Sequence, residues 1–320
     1  MPKVVSTRIA TVVLVALIAA AGVSLHWWGR QTAAPMLRVG IGPWIGYEPF
    51  VAARETGQWP ETVRLIELES NTETIDAFIE ERIDVAGLTL DESLLLSSKG
   101  SRHRIIAVLS DSRGGDAVMG RADHDSIASL SGQTVLVEDT AVGQLMLSAA
   151  LEDAGLPMNA VKVRRVQATR LPIAWARGEA AGVVAYSPLI ERLQQTGAKV
   201  LFSTRDHPGL VLDVLVLREG ISVEDEAVHQ LMAAWDAGRN RLVHLDDTLA
   251  MTLARGLGMT PDAYRAALAN VALLSGTEGR AMLAGDPPAV LASIQRIERL
   301  RASGESGADA LPGLPQGAVK

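Results

Sequence analysis

Short apolar segments alternate with amphipathic ones along most of the chain, and no other feature constrains the fold as strongly. Residues 37–41, 63–68 and 84–88 predict buried strands, and each is followed by apolar residues at helical spacing. The same alternation resumes over residues 134–202. Strands that alternate with helices are typical of parallel, twisted sheets with helices on their faces. The sequence therefore predicts an α/β protein, with everything after Ser222 helical.

A polar, glycine-rich segment over residues 111–116 interrupts this alternation, and the apolar run at 210–217 predicts a strand that returns to the first block. We therefore expect two lobes joined by two crossings, with a cleft between them that binds small ligands. The predicted organisation is an export signal or membrane anchor over 1–34, the first part of lobe 1 over 35–110, lobe 2 over 111–213, the helical second part of lobe 1 over 214–302 and a disordered tail over 303–320.

The N-terminus is typical of a targeting segment. Lys3 and Arg8 precede an apolar stretch over residues 9–25, and two tryptophans follow at 27 and 28. Either a peptidase cleaves near the small residues at 19–21, or residues 9–28 remain as an inner-membrane tether. Both alternatives predict that the bulk of the chain lies in the periplasm.

Composition excludes several classes of function. Of the 320 residues, 30 are Lys or Arg and 37 are Asp or Glu, so the net charge is -7 and opposes non-specific nucleic-acid binding. The chain has no cysteine, which excludes disulfides, thiolate metal centres, thiol nucleophiles and a lipidated cysteine. The 6 histidines lack metal-ligand spacing, and no common catalytic or nucleotide-binding motif occurs. The sequence therefore predicts no catalytic residue, no metal and no cofactor, and we expect a protein that is not an enzyme.

Polar and aromatic residues gather where the predicted strands end, which is the ligand edge of an open parallel sheet. These loops cover residues 43–47, 89–92, 111–116, 138–142 and 186–188, and Asp213 lies in the otherwise apolar returning strand. Structural alternatives stay open for these residues. Trp44 can pack on the next helix, Asp91 or Ser187 can serve as an N-cap, and Asp213 can be hydrogen-bonded at the crossover.

Residues 37–57 (LRVGIGPWIGYEPFVAARETG) resemble the opening of periplasmic solute-binding proteins of ABC importers, in the nitrate/sulfonate/taurine (NMT1/THI5-like) family. The resemblance extends through DVAGLTLDESLLLSSKG at 84–100, DSRGGDAVM at 111–119, SLSGQTVLVEDTAVG at 129–143, RGEAAGVVAYSPLIERL at 177–193 and VLDVLVLREG at 211–220, and covers about residues 36–300. It implies a type II periplasmic-binding-protein fold, binding without catalysis and delivery to a permease. Matched motif by motif, it implies that ligand is bound by Trp44, Gly46, Tyr47, Thr89, Asp91, Asp111, Gly115, Asp116, Glu138, Tyr186 and Asp213.

The candidate loops are rich in acids, whereas the basic candidates near them are Arg113, Arg170 and His207. We therefore expect an amine-bearing, zwitterionic or nitrogen-heteroaromatic ligand rather than a bare inorganic anion. The predicted function is that of a monomeric substrate-binding protein that captures a small nitrogen- or sulfur-containing solute for an inner-membrane ABC permease, with no nucleic-acid partner. The alternative is a ligand-sensing module coupled to a membrane signalling protein, and the sequence fits both.

Overall fold

Two β-sheets organise the computed structural model, which describes residues 36–304. Their strands, in chain order, are β1 (Leu37–Ile41), β2 (Val63–Glu67), β3 (Val85–Thr89), β4 (His103–Ser112), β5 (Asp116–Gly120), β6 (Thr134–Glu138), β7 (Lys162–Val166), β8 (Gly182–Tyr186), β9 (Lys199–Ser203), β10 (Leu212–Arg218) and β11 (Val271–Leu273). The first sheet has the order β11-β4-β10-β3-β1-β2, and the second has the order β7-β6-β8-β5-β9.

The chain crosses between the sheets twice, and the strand after each crossing runs antiparallel to its neighbours in the sheet that it joins. The first crossing uses only the three residues 113–115, which separate the end of β4 from the start of β5. A connection this short leaves β5 starting at the edge where β4 ended. Accordingly β5 runs antiparallel to β8, and β10, after the second crossing, runs antiparallel to β3 and β4. The parallel sheets predicted from the sequence are therefore mixed.

The helices are α1 (Glu48–Glu55), α2 (Asn71–Ile79), α3 (Leu90–Ser98), α4 (Ala141–Asp153), α5 (Leu171–Ala176), α6 (Leu189–Gln194), α7 (Glu226–Val243), α8 (Asp247–Gly256), α9 (Pro261–Leu268), α10 (Gly276–Ala281) and α11 (Leu291–Gly304). Side-chain caps set many of their starts. Thr140 accepts from the main-chain N–H of Gly143 at the start of α4, and Thr260 caps α9 in the same way.

One hydrophobic core runs across both sheets. It joins Leu88 and Val214 of the first sheet to Val118 and Val137 of the second, and α11 contributes apolar residues such as Ile294 to the same cluster. Helix α11 contacts both α3 and α4, so it packs on elements from either side of the crossings. A second cluster lies between the first sheet and α1, α7 and α9, centred on the buried ring of Trp235.

Three local expectations are wrong. Thr89, and not Asp91, is the N-cap of α3, because its hydroxyl accepts from the main-chain N–H of Glu92 while Glu92 reaches back in a capping box. Ser187 does not cap α6; Pro188 precedes that helix, and Ser187 donates to Glu191. The segment after Ser222 is not wholly helical, since β11 pairs with the end of β4.

Some predictions lie outside the described residues. The predicted export signal or anchor over 1–34 falls there, as do residues 305–320, whereas α11 continues to Gly304. Within residues 36–304 we find no helix long and apolar enough to cross a membrane.

Candidate functional site

Asp213 is the centre of the hydrogen-bonding network at the ligand edge of the first sheet. Strand register places it opposite Thr89 on β3 and Ser110 on β4. Its carboxylate accepts from the indole N–H of Trp44 at 2.8 Å, from the hydroxyl of Tyr47 at 3.3 Å and from the hydroxyl of Ser110. The side chain is 1% exposed, and burial raises its pKa to about 7 although the three hydrogen bonds lower it. The polar groups of both aromatic residues are therefore directed at Asp213.

Trp44 extends from the first sheet to the second. A Cβ at Gly46 would lie 2.1 Å from its indole nitrogen, and a Cβ at Gly115 would lie 2.5 Å from the far end of its ring. Both positions therefore require glycine, because no side chain fits there. The ring meets Tyr186 edge to face, with centroids 6.1 Å apart. Trp44 thus packs against the first crossing and against Tyr186 of the second sheet.

On the second sheet, Asp116 and Glu138 flank Tyr186. Asp116 pairs with Tyr186 across β5 and β8, and Glu138 is the last residue of β6. The three side chains line a cavity of about 10 Å³, together with the apolar residues Val142 and Met146. That volume holds roughly one water molecule. The site is therefore closed around very little free space.

Both acids are buried with an unused oxygen. Oδ2 of Asp116 and Oε1 of Glu138 have no hydrogen-bond partner. Burial raises the pKa of each to about 7, and the charges of Asp213 and Asp91 raise that of Asp116 further. The Tyr186 hydroxyl bonds Glu138 and partly offsets its shift. Unpartnered buried oxygens are costly, so each of these two oxygens is free to accept a further hydrogen bond.

A second acidic group lies at the start of α3. Asp91 accepts from the Thr89 hydroxyl at 2.7 Å through one oxygen, while its Oδ2 has no partner. Glu92 is used structurally, because it accepts from the Thr89 main-chain N–H and from the Asn71 amide. Burial raises the pKa of both acids, that of Glu92 to about 8, and the neighbouring charge of Asp91 adds to the latter. Thr89 therefore serves as cap and positions Asp91.

Asp111 lies apart from this group, between the two crossings. One of its oxygens accepts from the guanidinium of Arg113 at 2.6 Å, and the other accepts from the main-chain N–H of Gly209 at 2.9 Å. Thr204, fully buried nearby, bonds the hydroxyl of Ser112 and accepts from the main-chain N–H of Gly114. Asp111 and Thr204 thus tie the outgoing crossing to the returning one.

We call the space around Trp44, Asp116, Glu138 and Tyr186 the cleft, and positive charge is scarce around it. Arg113 is paired with Asp111, Arg170 is exposed, and His207 stacks on Phe202 while its Nδ1 lies 3.1 Å from the guanidinium of Arg296. Among the described residues that line the small cavity, none is Lys, Arg or His. Arg301 donates to the main-chain oxygen of Asp91 at 2.9 Å, and its charge lowers the pKa of that carboxyl.

Sequence reasoning missed Ser110, Asn71 and Thr204. Ser110 contacts Asp213 only because β4 and β10 pair in the observed register, and Asn71 reaches Glu92 only because α2 and α3 start side by side. The only sequence feature that could have indicated Ser110 is that it directly follows an apolar run and so lies at the ligand edge. Over residues 36–304 no group of three His, Asp or Glu side chains comes together in a way that could hold a metal ion. The arrangement is one of hydrogen-bond acceptors and aromatic faces.

Solved structures share this architecture. The alkanesulfonate-binding protein SsuA from Xanthomonas axonopodis pv. citri, bound to MOPS, matches with a TM-score of 0.71 at 17% identity, covering 88% of this chain and 96% of that one. A ligand-binding component of an ABC-type import system from Staphylococcus aureus matches with a TM-score of 0.65 at 15% identity, over 83% and 90% of the two chains. The desulfurization enzyme DSZB has a TM-score of 0.58 at 15% identity, over 84% and 92%. The chain therefore has the periplasmic-binding-protein fold that the sequence predicts. Two of these three similar structures are binding proteins, and the third is an enzyme.

Comparison at the level of sequence identifies the family. The model of the NMT1-like family matches residues 30–246, which is more than half of the chain. The chain belongs to the NMT1-like family, as its motifs predict. No curated protein sequence matches it.

Proposed function

We propose that this protein is the extracytoplasmic substrate-binding protein of an ABC-type importer, which captures a small nitrogen-containing solute in the cleft between two lobes and delivers it to an inner-membrane permease without chemical change. The observation that carries the proposal is the pair of short crossings, which brings the ligand edges of both sheets around Trp44 and Tyr186. Binding between two such edges couples ligand capture to closure, and a permease reads the closed form.

Three unpartnered buried oxygens support a ligand that carries positively charged or N–H donor groups. They belong to Asp91, Asp116 and Glu138, two of which line the cavity beside Tyr186. An inorganic anion or an amine-free sulfonate would face these acids without a cation on the cavity wall to offset them. Trp44 and Tyr186 supply faces for cation–π contact or stacking once the ligand separates them. We place ligand contact on Asp91, Asp116, Glu138, Trp44 and Tyr186, while Asp213, Tyr47, Thr89 and the two glycines shape the site.

The pH dependence of binding follows from the same acids. Burial raises the pKa of Asp116 and Glu138 to about 7, so an ammonium group that binds beside them must displace protons. Affinity for amines is expected to rise as the pH increases from about 5 to about 8, because the carboxylate form is the one that binds. Calorimetric titrations in buffers of different ionisation enthalpy measure the protons released.

The test is a thermal-shift screen of the full-length chain against primary amines and aminopyridines on one side, and nitrate and amine-free sulfonates on the other. Amines should raise the melting temperature of the wild type, and Asp116→Asn with Glu138→Gln should abolish that rise. Glu48→Gln is the matched control, since Glu48 is equally buried but accepts a hydrogen bond from Tyr264 away from the cleft.

A rise in melting temperature with sulfonates or nitrate alone would overturn the proposed ligand class. Turnover of any ligand beyond one equivalent would overturn binding without catalysis. Native mass spectrometry of the protein from its host would identify a co-purifying ligand.

The other role that the sequence fits, a ligand-sensing module, is not favoured by any observation on the described residues. Neighbouring genes for a permease and an ATPase favour import, whereas a neighbouring sensor gene favours signalling.

A further inference from the structure

A second and larger cavity is remote from the cleft. It has a volume of about 770 Å³ and lies between the first half of β4, the N-terminal half of α7 and the end of α10. Its wall includes Arg104 and Ile106 from β4 and Met232 from α7. Arg104 is six residues before Ser110 on β4, so about 20 Å of extended strand separates it from the network around Asp213. A volume of this size is typical of sites for small organic ligands.

Arginines line the cavity without counter-ions. Arg104 donates through Nη2 to the main-chain oxygen of Ile221 at 2.5 Å, but its Nε is buried and has no partner. Neither Arg104 nor Arg280 forms an ion pair with another residue in the described part of the chain. A buried guanidinium N–H without an acceptor carries a desolvation cost that a ligand oxygen would remove.

Two acids also line the cavity, and each has a polar neighbour. Asp236 accepts from the main-chain N–H of Gly276 at 2.7 Å, and Glu224 lies 3.7 Å from the imidazole of His229. The buried side-chain polar atom of the lining that lacks a partner is therefore a cationic donor, the Nε of Arg104, while Ile106, Val228, Met232 and Leu283 provide an apolar wall. This combination suits a molecule with an apolar body and one anionic head.

We propose that this cavity is a second ligand site, separate from the cleft, which binds an amphiphilic organic anion such as a medium-chain carboxylate, with its head group on Arg104 and Arg280 and its chain along α7. The chemistry is opposite to that of the cleft, where acids lack partners. The two sites should therefore select ligands of opposite charge.

The test uses two probes that differ only in the head group, octanoate and octylammonium. Because the sequence predicts an apolar N-terminal segment, the full-length chain is held in lipid nanodiscs, and empty nanodiscs serve as the blank for calorimetric titration. Both probes are measured in the Asp116→Asn with Glu138→Gln background, which removes the proposed amine binding of the cleft. Octanoate should bind with one equivalent per chain, and octylammonium should bind at least about tenfold more weakly. Arg104→Gln with Arg280→Gln should weaken octanoate about tenfold or more, as expected for a charge-assisted hydrogen bond.

Matched variants localise the effect. Arg102→Gln removes one positive charge from an exposed side chain two residues before Arg104 and should leave octanoate binding unchanged. Ala233→Trp, at an exposed position on the cavity rim, should fill the cavity and abolish binding without disturbing the core. Glu138→Gln in the cleft should have no effect on octanoate. Absence of saturable octanoate binding, equal binding of octylammonium, or full binding by the folded Ala233→Trp variant would each overturn the proposal.

Discussion

The cleft and the cavity beside α7 differ in which charged groups are left without partners. In the cleft, oxygens of Asp91, Asp116 and Glu138 are unpartnered and the free volume is about 10 Å³. In the cavity, the Nε of Arg104 is unpartnered and the volume is about 770 Å³. The comparison teaches that net charge says little about a ligand. What matters is which buried polar groups the fold leaves unsatisfied.

The largest effect is expected from Asp213→Leu, which removes the centre of the cleft network. The indole N–H of Trp44 and the hydroxyls of Tyr47 and Ser110 would all lose their acceptor in a fully buried place. We expect a loss of about 4 kcal/mol in the free energy of unfolding, measured by urea denaturation. Asp213→Asn keeps an acceptor oxygen and should lose only about 1 kcal/mol. Equal stability of the Leu and Asn variants would show that these bonds do not hold the cleft.

Gly279→Val should distort the cavity beside α7 and leave the cleft unchanged. A Cβ at Gly279 would lie 2.0 Å from the main-chain oxygen of Val108, so α10 must move away from β4. We expect a loss of about 3 kcal/mol in unfolding free energy together with loss of octanoate binding. Gly256→Val is the control, because nothing lies within 4 Å of a Cβ at that glycine of α8. If both variants lose the same stability, the close packing of α10 on β4 is not the cause.

A pH titration separates the buried acids from the rest of the molecule. The pKa of Glu48 is raised by burial to about 8, and those of Asp116, Glu138 and Asp213 to about 7. Between the ordinary values near 4 and these raised values, the folded chain holds more protons than the unfolded chain. Stability should therefore fall as the pH rises from about 4.5 to about 8 and level off above that range.

Each such acid contributes a slope of at most about 1.4 kcal/mol per pH unit. Glu48→Gln should flatten the curve by up to that amount, and so should Glu138→Gln. Chemical denaturation at several pH values gives the slopes. Only Glu138→Gln should also reduce the response to amines, because Glu48 bonds Tyr264 outside the cleft. An unchanged slope in both variants would contradict the assignment of raised pKa values.

Asp111→Asn should have the smallest effect. The new side chain can still accept from the Gly209 N–H, and the ion pair that it loses involves Arg113, whose side chain is 49% exposed. We expect less than about 1 kcal/mol of lost stability and an unchanged thermal shift with amines. Loss of the amine response would mean that Asp111 belongs to the ligand contacts and not only to the crossing.

Much of the arrangement followed from local sequence patterns. The strand–helix alternation predicted the α/β class, and strand ends predicted the residues that gather around Trp44 and Asp213. Ordinary capping chemistry chose Asp91 in place of Thr89 for α3. The error arose because Thr89 and Asp91 can both cap, and only the end of β3 decides which of them precedes the first helical turn.

The sequence by itself determined the kinds of residue available at the ligand edge: acids, three aromatics and few cations, with no cysteine in the chain. Only the tertiary structure decided which of these acids have hydrogen-bond partners for both oxygens. Asp111 and Glu92 are satisfied by neighbours distant in sequence, whereas Asp116 and Glu138 are buried with an oxygen unpartnered. The cavity on α7 was likewise invisible in the sequence, because it depends on how α10 packs across β4. The physical reason is that local patterns set backbone conformation, but the partner of a buried charge is set by strand register and helix packing.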